Sequence, residues 1–170
     1  MHLSLIHIGA LSPSSRDAVG AAAEAVHAAG GHVSYDPNFR SRLTGRAEAR
    51  ELLARIAPLT GLLKASCPAD AQALVGTGDP RTAAARCRAL GARTVVVTAG
   101  ADRLLLDDGT RAGYHAVPVN PAPVDATGAG DCFTGTATAR LALGDPLAEA
   151  VARGMAAASL SVSGRGGTGH

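Results

Sequence analysis

The chain is poor in aromatic residues: they make up 2% of its 170 residues, and Trp is absent. A base-stacking surface for single-stranded nucleic acid is therefore excluded, and any core must be built from Ala, Val and Leu. Charge of one sign is also lacking. The formal net charge is +2 and the arginines are scattered, so no basic face for a nucleic-acid partner is present. Three cysteines, Cys67, Cys87 and Cys132, have no metal-site spacing and cannot all pair, which suits a reducing, cytoplasmic setting and buried thiols. No uncharged apolar run approaches the roughly 18 residues of a membrane span. The opening residues, Met1 to Ile8, lack the basic start and cleavage site of a signal peptide. The six histidines share no spacing, so none is assigned a role.

Apolar residues account for 46% of the chain, enough for a globular domain with a real core. Strands are expected at Leu3 to Ile8, His32 to Tyr35, Gly61 to Lys64 and Thr94 to Thr98, the last a β-branched run suited to the middle of a sheet. Ser12-Pro13-Ser14-Ser15 reads as a helix start, and Gly30-Gly31 as its stop. Further helices are expected at Arg46 to Ile56, Pro68 to Leu74 and Pro80 to Leu90. Leu104 to Leu106 and Arg111 to Ala116, around Asp107-Asp108-Gly109-Thr110, read as a hairpin. Two helices follow, over Cys132 to Leu143 and Leu147 to Leu160. Alternating strands and helices predict parallel βαβ units, with ligands at the C-terminal strand ends. Asp36 to Arg40 and Thr98-Ala99-Gly100 fall at such ends.

The most informative stretch is Asp125-Ala126-Thr127-Gly128-Ala129-Gly130-Asp131. A Gly-Ala-Gly turn opening a helix leaves backbone N–H groups that a phosphate can approach. An aspartate directly after it can accept the proton of a hydroxyl attacking that phosphate. The plainer alternative is a glycine-rich helix start in which Asp131 serves only the helix dipole. This heptapeptide resembles the Asp-Thr-x-Gly-Ala-Gly-Asp signature of the ribokinase-like, PfkB-type sugar kinases, with Ala126 in place of the usual Thr.

Other segments resemble the same family in the same order. Val95 to Gly100 followed by Leu104 to Leu106 is similar to its Thr-x-Gly nucleotide strand, and implies nucleotide roles for Thr98 and Gly100. Arg103 stands where the family has glycine, and either obstructs the nucleotide or adds positive charge. Cys67-Pro68-Ala69-Asp70 with Leu74-Val75-Gly76 lines up with the family's Asn-x-x-Glu segment. This implies that Asp70 serves nucleotide and hydrated Mg²⁺, while Cys67 cannot stand in for the amide. Asp70 as a simple first-turn carboxylate is the alternative. Asp36-Pro37-Asn38-Phe39-Arg40 resembles the Asp-Pro-Asn-x-Arg segment of hexose and sugar-acid kinases, implying substrate contacts from Asn38 and Arg40. The tail Ala156 to Gly167 resembles the segment that, with Asp125 and Thr127, holds a monovalent cation such as K⁺; by position Ser161, Gly164 and Gly166 contribute.

The resemblance implies an α/β, ribokinase-like doubly wound (Rossmann-like) sheet. It covers nearly the whole chain but only the C-terminal half to two-thirds of a family member. Residues 1–170 are accordingly expected to be one incomplete domain lacking the N-terminal sugar-binding and lid portion, with exposed apolar edges that favour self-association. The implied activity is ATP-dependent phosphorylation of a sugar or sugar-acid hydroxyl, 2-keto-3-deoxygluconate first, with Asp131 as base and Gly128, Ala129 and Gly130 as anion hole. The rival is a catalytically inactive nucleotide-binding or subunit-interaction remnant. A dinucleotide-dependent dehydrogenase is disfavoured, because Gly9 to Ser14 offers one glycine where three are needed.

Overall fold

The computed structural model describes residues 1–6 and 8–167. The expected strand Leu3 to Ile8 and the glycine tail to Gly169 therefore lie partly outside the described residues, at His7 and beyond Gly167. Contacts divide the chain into two compact units, Met1–His115 and Ala116–His170.

The first unit alternates strand and helix. β1 (His2–Ile6) leads to α1 (Pro13–Ala28), β2 (His32–Asp36), α2 (Arg46–Ile56), β3 (Leu62–Ser66), α3 (Pro80–Ala89) and β4 (Val95–Ala99). β5 (Arg103–Asp107) and β6 (Ala112–Ala116) form the expected hairpin. The six-stranded sheet has the order β1-β2-β3-β4-β5-β6. Neighbours from β1 to β4 run parallel, and β5 is antiparallel to β4. Parallel neighbours in chain order need crossovers of one hand, which deliver successive helices to one face. The core shows this result. Leu5, Val33, Tyr35, Leu63, Ala65, Val95, Val97 and Leu105 share one cluster with Ala23 and Val26 of α1, Leu53 and Ile56 of α2, and Ala83, Ala84 and Cys87 of α3.

Local chemistry sets the element ends. Ser12 caps α1, its Oγ accepting from the Ser15 N–H, and Pro13 occupies the first helical turn, where its missing N–H costs nothing. Asp79 caps α3 in the same way through the Thr82 N–H at 2.7 Å. The helix expected over Pro68 to Leu74 is different: it is a wide π-helical turn, Ala71–Val75, closed by Gly76 at φ +71°. Three donors fasten the Asp70 side chain immediately before that turn. Helical periodicity, three or four residues per turn, carries no sign of such a widening.

The second unit is built on α4 (Ala129–Ala142) and α5 (Leu147–Ser161), joined by a turn through Gly144 at φ +94°. Phe133 and Ala137 of α4 are buried, as are Ala150, Val151 and Met155 of α5. Gly154 lets the helices approach: a Cβ there would lie 2.9 Å from the Phe133 ring and 3.0 Å from its carbonyl oxygen. The segment ahead of α4 is tied to α5, with Ser159 Oγ donating to the Pro118 carbonyl at 2.7 Å. No helix among the described residues is long and apolar enough to cross a membrane. Gly154→Leu should force α4 and α5 apart and lower stability by about 1–3 kcal/mol, the usual scale of overpacking; a denaturant midpoint equal to the parent's would contradict this packing.

Candidate active site

In the first unit, the C-terminal ends of β2, β3 and β4 carry the expected ligand-binding residues. β2 ends at Asp36, which is fully buried, and Lys64 Nζ from β3 donates to its Oδ2 at 2.8 Å. Asp36 Oδ1 accepts the Asn38 N–H at 3.1 Å. This is an Asx-type turn, and Asn38 adopts φ +42°, a conformation Asn tolerates better than most residues. Asp70 holds the next residue: its Oδ1 accepts the Phe39 N–H at 2.8 Å, and its Oδ2 accepts the Ser66 N–H at 2.9 Å and the Ser66 hydroxyl at 2.7 Å.

Asp70 is 2% exposed and both its oxygens accept from protein donors, so it clasps the β3 end to the Asp36–Arg40 loop. Arg40 is exposed, and one of its guanidinium nitrogens donates to the Phe39 carbonyl at 3.2 Å. The cleft lined by Asn38, Phe39, Arg40 and Thr44 has a volume of about 10 Å³, room for a water and not a sugar.

Thr98 lies beside Ser66 in the β3–β4 register, and the Cys67 N–H donates to the Thr98 carbonyl at 2.7 Å. Gly100 turns the chain at φ +70° with open space around its Cα. Cys67 donates its thiol to the Gly78 carbonyl at 2.9 Å; burial, reinforced by Asp79, pushes that thiol's pKa up. Sequence reasoning missed Lys64 and Ser66. The available signal was a single charge inside an otherwise apolar strand, Leu62-Leu63-Lys64-Ala65, because a lysine in such a place needs a buried partner.

In the second unit the signature loop and the tail converge. The N–H groups of Val124 and Asp125 both donate to the Val162 carbonyl, at 2.7 and 3.2 Å. Asp125 Oδ1 accepts the Thr127 N–H at 2.9 Å and hydroxyl at 2.7 Å, and its Oδ2 accepts the Gly166 N–H at 2.9 Å. Asp125, Thr127 and Gly166 are thereby gathered, with Ser161 and Gly164 in the connecting turn, where the Gly164 N–H donates to the Ser161 carbonyl at 3.5 Å. These bonds, the Thr127 hydroxyl's first, hold the Asp125 carboxyl below its usual range.

Gly128 caps α4 in the left-handed conformation at φ +81°, and a Cβ there would meet the Gly167 Cα at 2.9 Å. Both facts demand glycine. The expected anion hole is narrower than the sequence suggested: the Ala129 N–H is already donated to the Ala126 carbonyl at 3.2 Å. The N–H groups of Gly128 and Gly130 have no acceptor among the described residues. Asp131 stands exposed in the first turn of α4, and its carboxylate has no hydrogen-bond or ion-pair partner among the described residues.

Two consequences can be measured. Lys64→Met removes the positive charge bonded to the buried Asp36 carboxylate and should destabilise the chain by about 3–5 kcal/mol; an unchanged denaturant midpoint would show that the ion pair does not hold the sheet end. Thr127→Val removes the chief cause of the low Asp125 pKa. A depressed native pKa stabilises the fold above the unfolded value and ceases to do so as pH falls through the native one. Thr127→Val should therefore raise the Asp125 midpoint in a carboxyl NMR titration and flatten the loss of stability below about pH 4; a midpoint that does not move would contradict it.

The sequence pattern of the family described as pfkB family carbohydrate kinase matches residues 2–169. Aminoimidazole riboside kinase of Salmonella typhimurium is 33% identical over 165 residues, covering 94% of this chain and 51% of that protein. The 2-dehydro-3-deoxygluconokinase of Escherichia coli K12 is 30% identical over 171 residues, covering 98% of this chain and 55% of that protein. The chain thus spans about half the length of the curated relatives it matches. Among solved structures, aminoimidazole riboside kinase from Salmonella enterica, complexed with aminoimidazole riboside and an ATP analogue, superposes with a TM-score of 0.88 at 31% identity, covering 98% of this chain and 57% of that one. A putative ribokinase II from Escherichia coli in complex with ATP and Mg²⁺ superposes with a TM-score of 0.83 at 30% identity, covering 98% and 53%. The α/β sheet is ribokinase-like, and the chain belongs to the pfkB family of carbohydrate kinases.

Proposed function

We propose that residues 1–170 are the C-terminal, nucleotide-binding and catalytic portion of a single PfkB-type kinase domain, which phosphorylates a sugar or sugar-acid hydroxyl from ATP. The observation that carries the reading is the start of α4, where a left-handed Gly128, unclaimed N–H groups on Gly128 and Gly130, and an unpartnered Asp131 carboxylate stand within four residues. The acceptor hydroxyl oxygen bonds to the γ-phosphorus as the bond to ADP breaks, and the hydroxyl proton passes to Asp131. The N–H groups of Gly128 and Gly130 carry the charge developing on the phosphoryl oxygens. Thr98 and Gly100 serve the nucleotide. Magnesium is assigned to the nucleotide phosphates, with Asp70 bracing the loop beside them. The carbonyl-rich turn from Ser161 to Gly166, fixed to Asp125 and Thr127, is assigned to a monovalent cation.

The sugar-acid assignment, with 2-keto-3-deoxygluconate first, rests on Asn38 and Arg40. The buried Asp36 and Asp70 carboxylates brace their loop, and the Arg40 fork matches a carboxylate. Relatives acting on a riboside and on a deoxy sugar acid are about equally similar, so Arg40 is the residue by which the two classes are distinguished. A second reading, a nucleotide-binding subunit without transfer, draws on the cleft beside Arg40, too small for a sugar in this chain by itself.

An ADP-release assay with ATP, Mg²⁺ and 2-keto-3-deoxygluconate separates the readings. Under the kinase reading Asp131→Asn lowers turnover about 10²-fold or more and leaves ATP affinity unchanged. Turnover within a few-fold of the parent removes Asp131 from the chemistry. ATP binding with no ADP release, even when the N-terminal portion of a relative is joined to the chain, favours the second reading.

A further inference from the structure

Two arginines from different elements meet on one tyrosine at the ligand end of the first unit. Arg103 opens β5, opposite Ala99 in the β4 register and three residues beyond Gly100. Arg81 lies in the first turn of α3, so it too stands at the C-terminal end of the parallel strands. Their guanidinium carbons lie 4.7 Å (Arg103) and 5.2 Å (Arg81) from the centre of the Tyr114 ring, which β6 brings alongside. Both distances are within cation–π range. Arg81 is steadied by a long hydrogen bond to the Ala112 carbonyl at 3.4 Å.

Neither guanidinium has an ion-pair partner among the described residues. The nearby Asp79 is committed elsewhere: its Oδ2 accepts both the Thr82 N–H and the Thr82 hydroxyl at 2.7 Å, capping α3. Those bonds, with a smaller share from Arg81 and Arg103, hold its carboxyl below the usual range. All three side chains are exposed, Tyr114 by 38%. A guanidinium lying over a ring keeps its in-plane N–H edge available, and that edge matches the oxygens of a phosphate. Two such edges fixed by one ring suit a polyphosphate better than a single anion, because each needs little ordering on binding.

We propose that Arg103 and Arg81, held on Tyr114, form an additional polyphosphate contact for the nucleotide, at the strand ends that carry Thr98 and Gly100. The inference rests on the nucleotide reading given above and resolves the role of Arg103, which adds charge to the site instead of obstructing it. Tyr114 is a positioning residue that touches the nucleotide only through the two arginines.

Calorimetric titration of the chain with ATP, inorganic tripolyphosphate and adenosine tests it. Arg103→Gly and Arg81→Ala should each weaken ATP and tripolyphosphate about five- to tenfold, the scale of a charge-assisted hydrogen bond at an exposed site, and leave adenosine unaffected. Tyr114→Leu should weaken both anions about two- to threefold, and Tyr114→Phe should restore what the leucine loses. Arg93→Ala, which removes an arginine at the opposite end of β4, is the control for general charge. If Arg103→Gly binds ATP as well as or better than the parent, or no worse than Arg93→Ala, the inference is wrong while the nucleotide reading stands. Loss of adenosine binding in step with ATP would also overturn it, in favour of a contact to the base. A parent chain that binds neither ATP nor tripolyphosphate overturns the nucleotide reading, and this inference with it.

Discussion

The Lys64–Asp36 ion pair, 2.8 Å long with the carboxylate fully buried, is the constraint on which the ligand end of the sheet depends. Withdrawing two charges from water is costly, and close contact with additional hydrogen bonds offsets that cost. Here the second Asp36 oxygen takes the Asn38 N–H, and Asp70 takes the next amide. One electrostatic contact between β2 and β3 thus propagates into the backbone of the loop carrying Asn38 and Arg40. The loop gains definition from these carboxylates together with Phe39, which packs against the core, while Arg40 stays exposed at the surface.

The signature loop solves a similar problem with glycine. α4 begins at a residue that must be left-handed and must let Gly167 approach, so Gly128 has two independent reasons to lack a side chain. Asp125 then joins the loop to the tail through three hydrogen bonds. In both units a carboxylate organises backbone N–H groups while the group proposed to bind or react, Arg40 or Asp131, is left without a strong partner. A residue that binds or reacts needs free valence, and the stability of its surroundings must come from its neighbours.

Most of the fold was legible in the sequence. The β-branched run Val95-Val96-Val97-Thr98 reads as a central strand, and it lies between β3 and β5. Ser12 with Pro13 and Gly30 marks both ends of α1, and Arg46 to Ile56 is helical as expected. These features are local, set by capping, dihedral preference and periodicity over a few residues. The Pro68 to Leu74 segment is helical as expected but widened to a π-turn, and the Asp70 side chain before that turn is fastened to groups 4 and 31 residues away, a constraint that no local pattern carries.

The sequence by itself determined the strand and helix pattern, the glycine turn and the aspartate that follows it, because each depends on dihedral and hydrogen-bonding preferences of adjacent residues. Tertiary structure alone decided what the polar groups do. It fastened Asp70 to the Phe39 amide, paired Lys64 with Asp36, and set Arg81 and Arg103 on one tyrosine. A charged side chain or a free N–H takes its role from whichever partner folding brings within about 3 Å, and for these groups most partners come from other elements of the fold.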